Sequence, residues 1–176
     1  MSPDANPRLR QVDLATDRDT VFQLSVEYMG WVAAGIAAER QASPPKAGSV
    51  ERYVEGSLDE VRRWRPPEGA FYLVEVSGAL AGMCGLRQVA PRVAELKRLY
   101  VRPSHRGLRL GEAMMQRLLA DAVAFGCERA VLDSAPFMAA AHRLYAAAGF
   151  VDCPPYEGSE APQDLLAAWR FMERTL

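Results

Sequence analysis

Residues Glu95 to Glu112 read E-L-K-R-L-Y-V-R-P-S-H-R-G-L-R-L-G-E, a strand over Val93–Val101 that runs through a glycine-containing turn into a helix over Gly111–Ala124. A strand that feeds a helix this way is one unit of a chain in which strands and helices must pack as layers. The turn also has a chemical consequence. Gly107 and Gly111 carry no Cβ, so backbone N–H groups there are free to approach a ligand closely. The first turn of a helix leaves four N–H donors unpaired, and the helix dipole adds partial positive charge. Lys97, Arg98, Arg102, Arg106 and Arg109 lie between Glu95 and Glu112 with no acid among them. Arg106, Gly107, Leu108, Arg109, Leu110, Gly111 and Glu112 therefore form a candidate phosphate or pyrophosphate site. Other phosphate loops are missing: the chain has neither G-x-x-x-x-G-K-S/T nor G-x-G-x-x-G. It also lacks a G-x-S-x-G nucleophile elbow, and Ser104-His105 is no triad, since sequence neighbours do not face one another productively.

The rest of the chain fills in the layers. A short strand is expected over Leu9–Leu14, followed by a helix that Thr16 and Asp19 begin as a capping box, with Phe22, Val26, Met29, Ala33 and Ile36 as its apolar face. Ser49 caps a second helix with face Val50, Val54, Leu58 and Val61. Phe71–Val76 and Leu80–Val89 form a hairpin around Ser77-Gly78, with Gly82 and Gly85 weakening the second strand. In the Gly111–Ala124 helix the face is Ala113/Met114, Arg117/Leu118, Asp121/Ala122 and Phe125, and Gly126 ends it. Ala130–Asp133 is a buried strand, Phe137–Ala148 an alanine-rich helix, and Phe150–Cys153 and Trp169–Thr175 close the fold. The order β, α, α, β, β, β, α, β, α, β, β predicts an α/β fold with a mixed, largely antiparallel central sheet flanked by helices. Residues 1–7 are read as a tail and 8–176 as a single domain.

Composition removes several classes. A formal net charge of -1 gives no support for nucleic-acid binding. No uninterrupted apolar run approaches the roughly 20 residues of a membrane span. Cys84, Cys127 and Cys153 are scattered, show no metal-ligand spacing, and fit a reducing, cytoplasmic setting without a metal.

With these motifs in view, the sequence resembles the GNAT family of N-acetyltransferases. The family's core motif is Arg or Gln, two residues, Gly, one residue, then Gly or Ala. Arg106 to Gly111 matches its first and last positions, with Arg109 where the middle glycine stands. A second block, A-H-R-L-Y-A-A-A-G-F from Ala141 to Phe150, matches the family's A-x-x-L-Y-x-x-x-G-F. Met138 takes the place of an asparagine often found seven residues before the tyrosine. The resemblance runs from about Leu9 onward and is specific from Glu95 to Phe150.

The resemblance implies acetyl-coenzyme A as co-substrate and a small-molecule or peptide amine as acceptor. It implies that the strand carrying Leu99, Tyr100 and Val101 splays from the next one, so that its backbone pairs with the acetyl carbonyl and the pantetheine amides, with Met138 nearby. An N–H aimed at that carbonyl would stabilise the oxyanion. A lysine-like amine has a pKa of about 10.4, so its neutral form costs roughly 4–5 kcal/mol at pH 7 and needs a base. Glu95 stands where several members carry a catalytic glutamate, and simple alternation puts Glu95, Lys97, Leu99 and Val101 on one face unless a bulge intervenes. Tyr145 is the candidate acid for the departing thiolate. Tyr28, Trp31 and Arg52 lie on helices that wall the acceptor site in the family. Members are often dimers, a homodimeric state that no residue of this chain specifies. Two other readings stay open at this point, a non-catalytic acyl-coenzyme A sensor on the same fold and a phosphate-ester or nucleotide-binding module.

Overall fold

The computed structural model describes residues 7–176, so the tail expected over 1–7 lies, but for Pro7, outside the described residues. The elements are β1 (Arg8–Gln11), α1 (Leu14–Glu39), α2 (Ser49–Val61), β2 (Gly69–Val76), β3 (Ala79–Ala90), β4 (Val93–Val101), α3 (Leu110–Ala124), β5 (Arg129–Ser134), α4 (Ala139–Ala147), β6 (Val151–Asp152) and β7 (Arg170–Thr175). They follow the expected order. The sheet runs β1-β2-β3-β4-β5-β7-β6, and every pair is antiparallel except β4 with β5.

Helices cover both faces of this sheet, so its central strands are buried on both sides. Along β2 the side chains alternate between two cores: Tyr72 and Val74 pack with Met114, Leu118 and Phe150 on the α3/α4 side, while Phe71 and Leu73 pack with Leu24, Leu58 and Trp64 on the α1/α2 side. The hairpin turn forms where expected, with Ser77 and Gly78 both at positive φ (51° and 79°), the geometry that matches strand twist. Gly82 and Gly85 do not interrupt β3. A Cβ on Gly82 would stand 2.2 Å from the Tyr100 carbonyl oxygen, so glycine there is what lets β3 and β4 approach.

Three local readings need correction. The α1 cap lies before Thr16: Asp13 is the N-cap, its side chain accepts from the Ala15 N–H, and Thr16 is already helical. The buried stripe of α1 is Val21, Leu24, Ser25 and Val32, next to the predicted face. Gly48, at φ 76°, precedes α2, whereas the Ser49 hydroxyl donates back to the Lys46 carbonyl. By length and composition α1 could cross a membrane, with mean hydropathy 1.2. Here it lies against the sheet and buries Asp17 and Ser25 with its apolar stripe.

Candidate active site

The site begins where two strands part. β4 and β5 pair in parallel only through Val93↔Arg129, Ala94↔Ala130 and Glu95↔Val131. β5 continues along β7 to Ser134, while β4 continues along β3 to Val101. Among the described residues no strand pairs with the facing edge of β4 beyond Glu95. A cavity of about 300 Å³ opens in this wedge, lined by Glu95–Leu99 of β4, Leu132–Ser134 of β5, Met138, Ala141 and Tyr145, and by Tyr28, Trp31 and Val32 of α1.

A bulge redirects the β4 side chains. Lys97 pairs with Gly85 and Tyr100 with Met83, so Arg98 and Leu99 together oppose Cys84. Arg98 takes φ 53° to accommodate the extra residue. As a result Leu99 and Val101 join the α3/α4 side, while Tyr100 packs on the α1/α2 side with Met83. The shared face expected for Glu95, Lys97, Leu99 and Val101 is broken at this point.

The bulge and the strand end also scatter the expected basic patch. Arg102 binds Glu27 of α1 (Nε at 2.9 Å), Lys97 donates to Glu160 (2.8 Å), and Arg98 is buried between the sheet and α1 and α2. Arg106 and Arg109 remain exposed at the turn. Arg106 Nε donates to the Val101 carbonyl (3.4 Å) and its guanidinium lies over Trp31 (5.9 Å), whereas Arg109 pairs with Glu112 (3.3 Å).

At the turn itself the backbone donors stay free. From Gly107 to Gly111 no backbone N–H donates to a protein acceptor among the described residues, and no side chain caps α3. Gly107 has φ 82° and open space where a Cβ would stand. Arg109, in place of the family's middle glycine, is the N-cap at φ 56°, so the loop keeps a left-handed step with a less suitable residue. Leu110 is buried under the loop, while Leu108 and Glu112 are exposed. The free donors at the turn and the unpaired strand edge beside the wedge fit a diphosphate joined to an amide-bearing arm.

The two candidate catalytic groups both line the cavity. Tyr145 is 7% exposed, burial pushes its phenol well above the usual range, and among the described residues no protein group hydrogen-bonds its hydroxyl. Glu95 is 1% exposed. Its Oε2 accepts from Arg87 Nε (2.7 Å) and its Oε1 from the Tyr156 hydroxyl (2.8 Å), with Lys97 Nζ at 3.7 Å. Burial raises the Glu95 carboxyl above the ordinary value, against the opposing pull of Lys97 and Arg87. Met138 is the N-cap of α4 without a capping side chain and packs against Val32 and Ala135, an apolar role in place of the asparagine's polar one. His142 accepts from or donates to Ser134 Oγ (2.9 Å), at the end of the splayed strand. Tyr28 and Trp31 reach the cavity, but Arg52 is exposed elsewhere on α2.

Sequence reasoning missed the segment that closes over Glu95. Tyr156 also reaches Asp133 (3.3 Å), Ser159 donates to Asp133 (2.8 Å), the Gly158 carbonyl accepts from Arg87 (2.9 Å), and Glu160 holds Lys97. Trp169 Nε1 adds a bond to Asp133 (3.0 Å). No motif marks these residues, and their partners lie up to 71 positions away.

Comparison with known proteins follows the same lines. The sequence profile described as the Acetyltransferase (GNAT) family matches residues 33–150. An uncharacterized N-acetyltransferase of Schizosaccharomyces pombe is 32% identical over 104 residues, 58% of this chain and 64% of that protein, so the match spans less than two thirds of the relative's length. An IAA acetyltransferase of Azospirillum brasilense is 30% identical over 112 residues, covering 62% of this chain and 70% of that one. The PaiA N-acetyltransferase of Thermoplasma acidophilum, solved in complex with coenzyme A, superposes with a TM-score of 0.73 over 97% of this chain and 99% of its own at 18% identity, a likeness of fold.

Proposed function

The chain belongs to the Acetyltransferase (GNAT) family, and from that premise we propose that it transfers the acetyl group of acetyl-coenzyme A to a primary amine by direct attack. The observation that carries this reading is the parting of β4 and β5 after Glu95↔Val131, which leaves a strand edge facing a cavity with Tyr145 on its wall. The coenzyme would supply an acetyl thioester. The N–H groups of Gly107–Gly111 would hold its diphosphate, and the free backbone of Leu99–Val101 would take the pantetheine amides and the acetyl carbonyl. Glu95 takes the proton that the attacking ammonium must lose, directly or through one water. Tyr145 keeps a proton at the sulfur end. A buried phenol gives that proton up uphill, so its contribution depends on the thiolate standing in the same dry cavity. The acceptor is an amine on a small molecule or peptide, and the three free thiols suit a cytoplasmic setting.

The test is steady-state thiol release from acetyl-coenzyme A across a panel of primary amines, for the wild type and Tyr145→Phe. The variant loses one oxygen and keeps the ring packing. Turnover is expected to fall roughly 10²-fold or more while acetyl-coenzyme A affinity changes little. Unchanged turnover in a folded, coenzyme-binding Tyr145→Phe protein removes the acid role. A wild type that binds acetyl-coenzyme A and releases no thiol with any amine is a sensor.

A further inference from the structure

Arg98 is a cation that the mechanism above does not use. It is 9% exposed, sits on the β4 bulge at φ 53°, and lines the same cavity as Glu95 and Tyr145. Its Nη2 donates to Ser57 Oγ (2.9 Å), its Nη1 reaches Ser25 Oγ (3.5 Å), and its guanidinium lies 5.4 Å from the Trp64 ring centroid. Among the described residues no carboxylate forms an ion pair with it, whereas the nearby cations are all paired: Arg87 with Glu60, Glu95 and Glu160, Lys97 with Glu160, and Arg102 with Glu27. Burying a charge without a counter-ion is costly, and a fold that needed only a strut between α1, α2 and the sheet could use an uncharged side chain. The two serines orient the guanidinium without neutralising it, and they occupy two of its five N–H donors. Glu95, Asp133 and Glu160 line the same cavity, as does Lys97, which Glu160 holds; Glu160 and Glu60 act on Arg98 through space without bonding it. The cavity thus offers carboxylates to an ammonium and, in Arg98, one buried guanidinium that no carboxylate bonds directly.

We propose that Arg98 receives a carboxylate carried by the acceptor, so that the amine acetylated here belongs to an amino acid or a close zwitterionic relative. This rests on the acetyltransferase reading and narrows it. The transfer keeps its balance: the amine lone pair forms the bond to the acetyl carbon, the thioester C–S bond breaks with its electron pair on sulfur, and the proton lost by nitrogen is matched by the one sulfur takes up. Arg98 touches the acceptor's far end and sets which molecule is held, with the nitrogen left for Glu95.

The experiment measures kcat/KM for thiol release with the free L-amino acids and, in parallel, with their α-carboxamides, which keep the side chain and the amine but lose the negative charge. At least one free acid is expected to exceed its amide by about 10-fold or more, since a site built to bond a charged group disfavours the analogue lacking it. Arg98→Gln is expected to erase that preference by lowering the acid's kcat/KM with little change for the amide, and Arg98→Lys to keep part of it. The acid-to-amide comparison in the wild type stands even where the Arg98 variants melt below the assay temperature. Equal use of acids and amides, better use of amides, or an equal loss on both in Arg98→Gln overturns the proposal. So does a protein that acetyl-coenzyme A stabilises against heat and that acetylates only amines without a carboxylate. A wild type that acetyl-coenzyme A does not stabilise at all overturns the acetyltransferase reading, and this one with it.

Discussion

The base role proposed for Glu95 makes two demands that pull in different directions. As a base it has to be ionised and reachable; as a buried carboxylate it has to be held. Arg87 and Tyr156 hold it, and desolvation lifts its carboxyl above the ordinary 4.5, which brings a weak base closer to working pH. The sign follows: the active form is the ionised one, so activity that depends on Glu95 is lost as pH falls through that raised value. Glu95→Gln is expected to lower turnover by about 10- to 1,000-fold at neutral pH with little change in coenzyme affinity, and the deficit should shrink at high pH, where the amine is already neutral. A pH profile of kcat for both proteins checks this; if the variant turns over at the wild-type rate per folded molecule, another group takes the proton. Arg87 is not left without a counter-ion in that variant, because Glu60 and Glu160 also bind it. The glutamate's candidacy was legible in the sequence through a family position. Its partners were not, since Tyr156 and Arg87 meet it across 61 and 8 residues with no motif to mark them.

Among the elements, the turn into α3 was the most legible from sequence and β4 the least. Glycines, a helix start and the absence of acids are local signals, and they specify free N–H donors whatever the rest of the chain does. The coenzyme is therefore expected to raise the melting temperature by mass action, and Gly111→Leu to abolish that rise in a folded protein. A Cβ at Gly111 would meet the Leu144 Cδ2 at 2.9 Å, a side-chain end that can move, so the variant is expected to fold while its new side chain crowds the donors. Thermal melts with and without acetyl-coenzyme A measure both; a full shift in Gly111→Leu would remove the pyrophosphate assignment. In β4, by contrast, alternation predicts one face for Glu95 and Leu99, and the bulge at Arg98 puts them on opposite sides. One extra residue in one strand inverts every later side chain, and nothing in the sequence of β4 alone announces it.

For the molecule as a whole, β1 and α1 are tied by one ion pair near the start of the described chain. Arg10 bonds both oxygens of Asp17 (2.7 and 2.9 Å), and the Asp13 N–H adds a third bond at 2.9 Å. The Arg10 guanidinium, more than the backbone bond, holds the Asp17 carboxyl below its ordinary 3.8. A carboxyl depressed in the folded state contributes stability that is complete above its unfolded value and is lost as pH falls through the folded one. Asp17→Asn is expected to cost about 1.5–3 kcal/mol at pH 7. Urea unfolding at pH 7 and pH 3 should show that gap narrowing at the lower pH; a gap that stays constant would mean the pair contributes through shape alone. The amino-acid sequence by itself determined the order of strands and helices, the glycine turn with its free backbone donors and the two motif blocks, because periodicity and glycine act between residues a few positions apart. Only the tertiary structure decided which side of the sheet each β4 residue serves, that three of the five cations near the turn point away from it, that the segment around Tyr156 covers Glu95, and that Arg98 is buried with no carboxylate bonded to it. Those outcomes depend on pairing register and on which distant groups share a low-dielectric space, and neither is set until the strands part and the helices close over them.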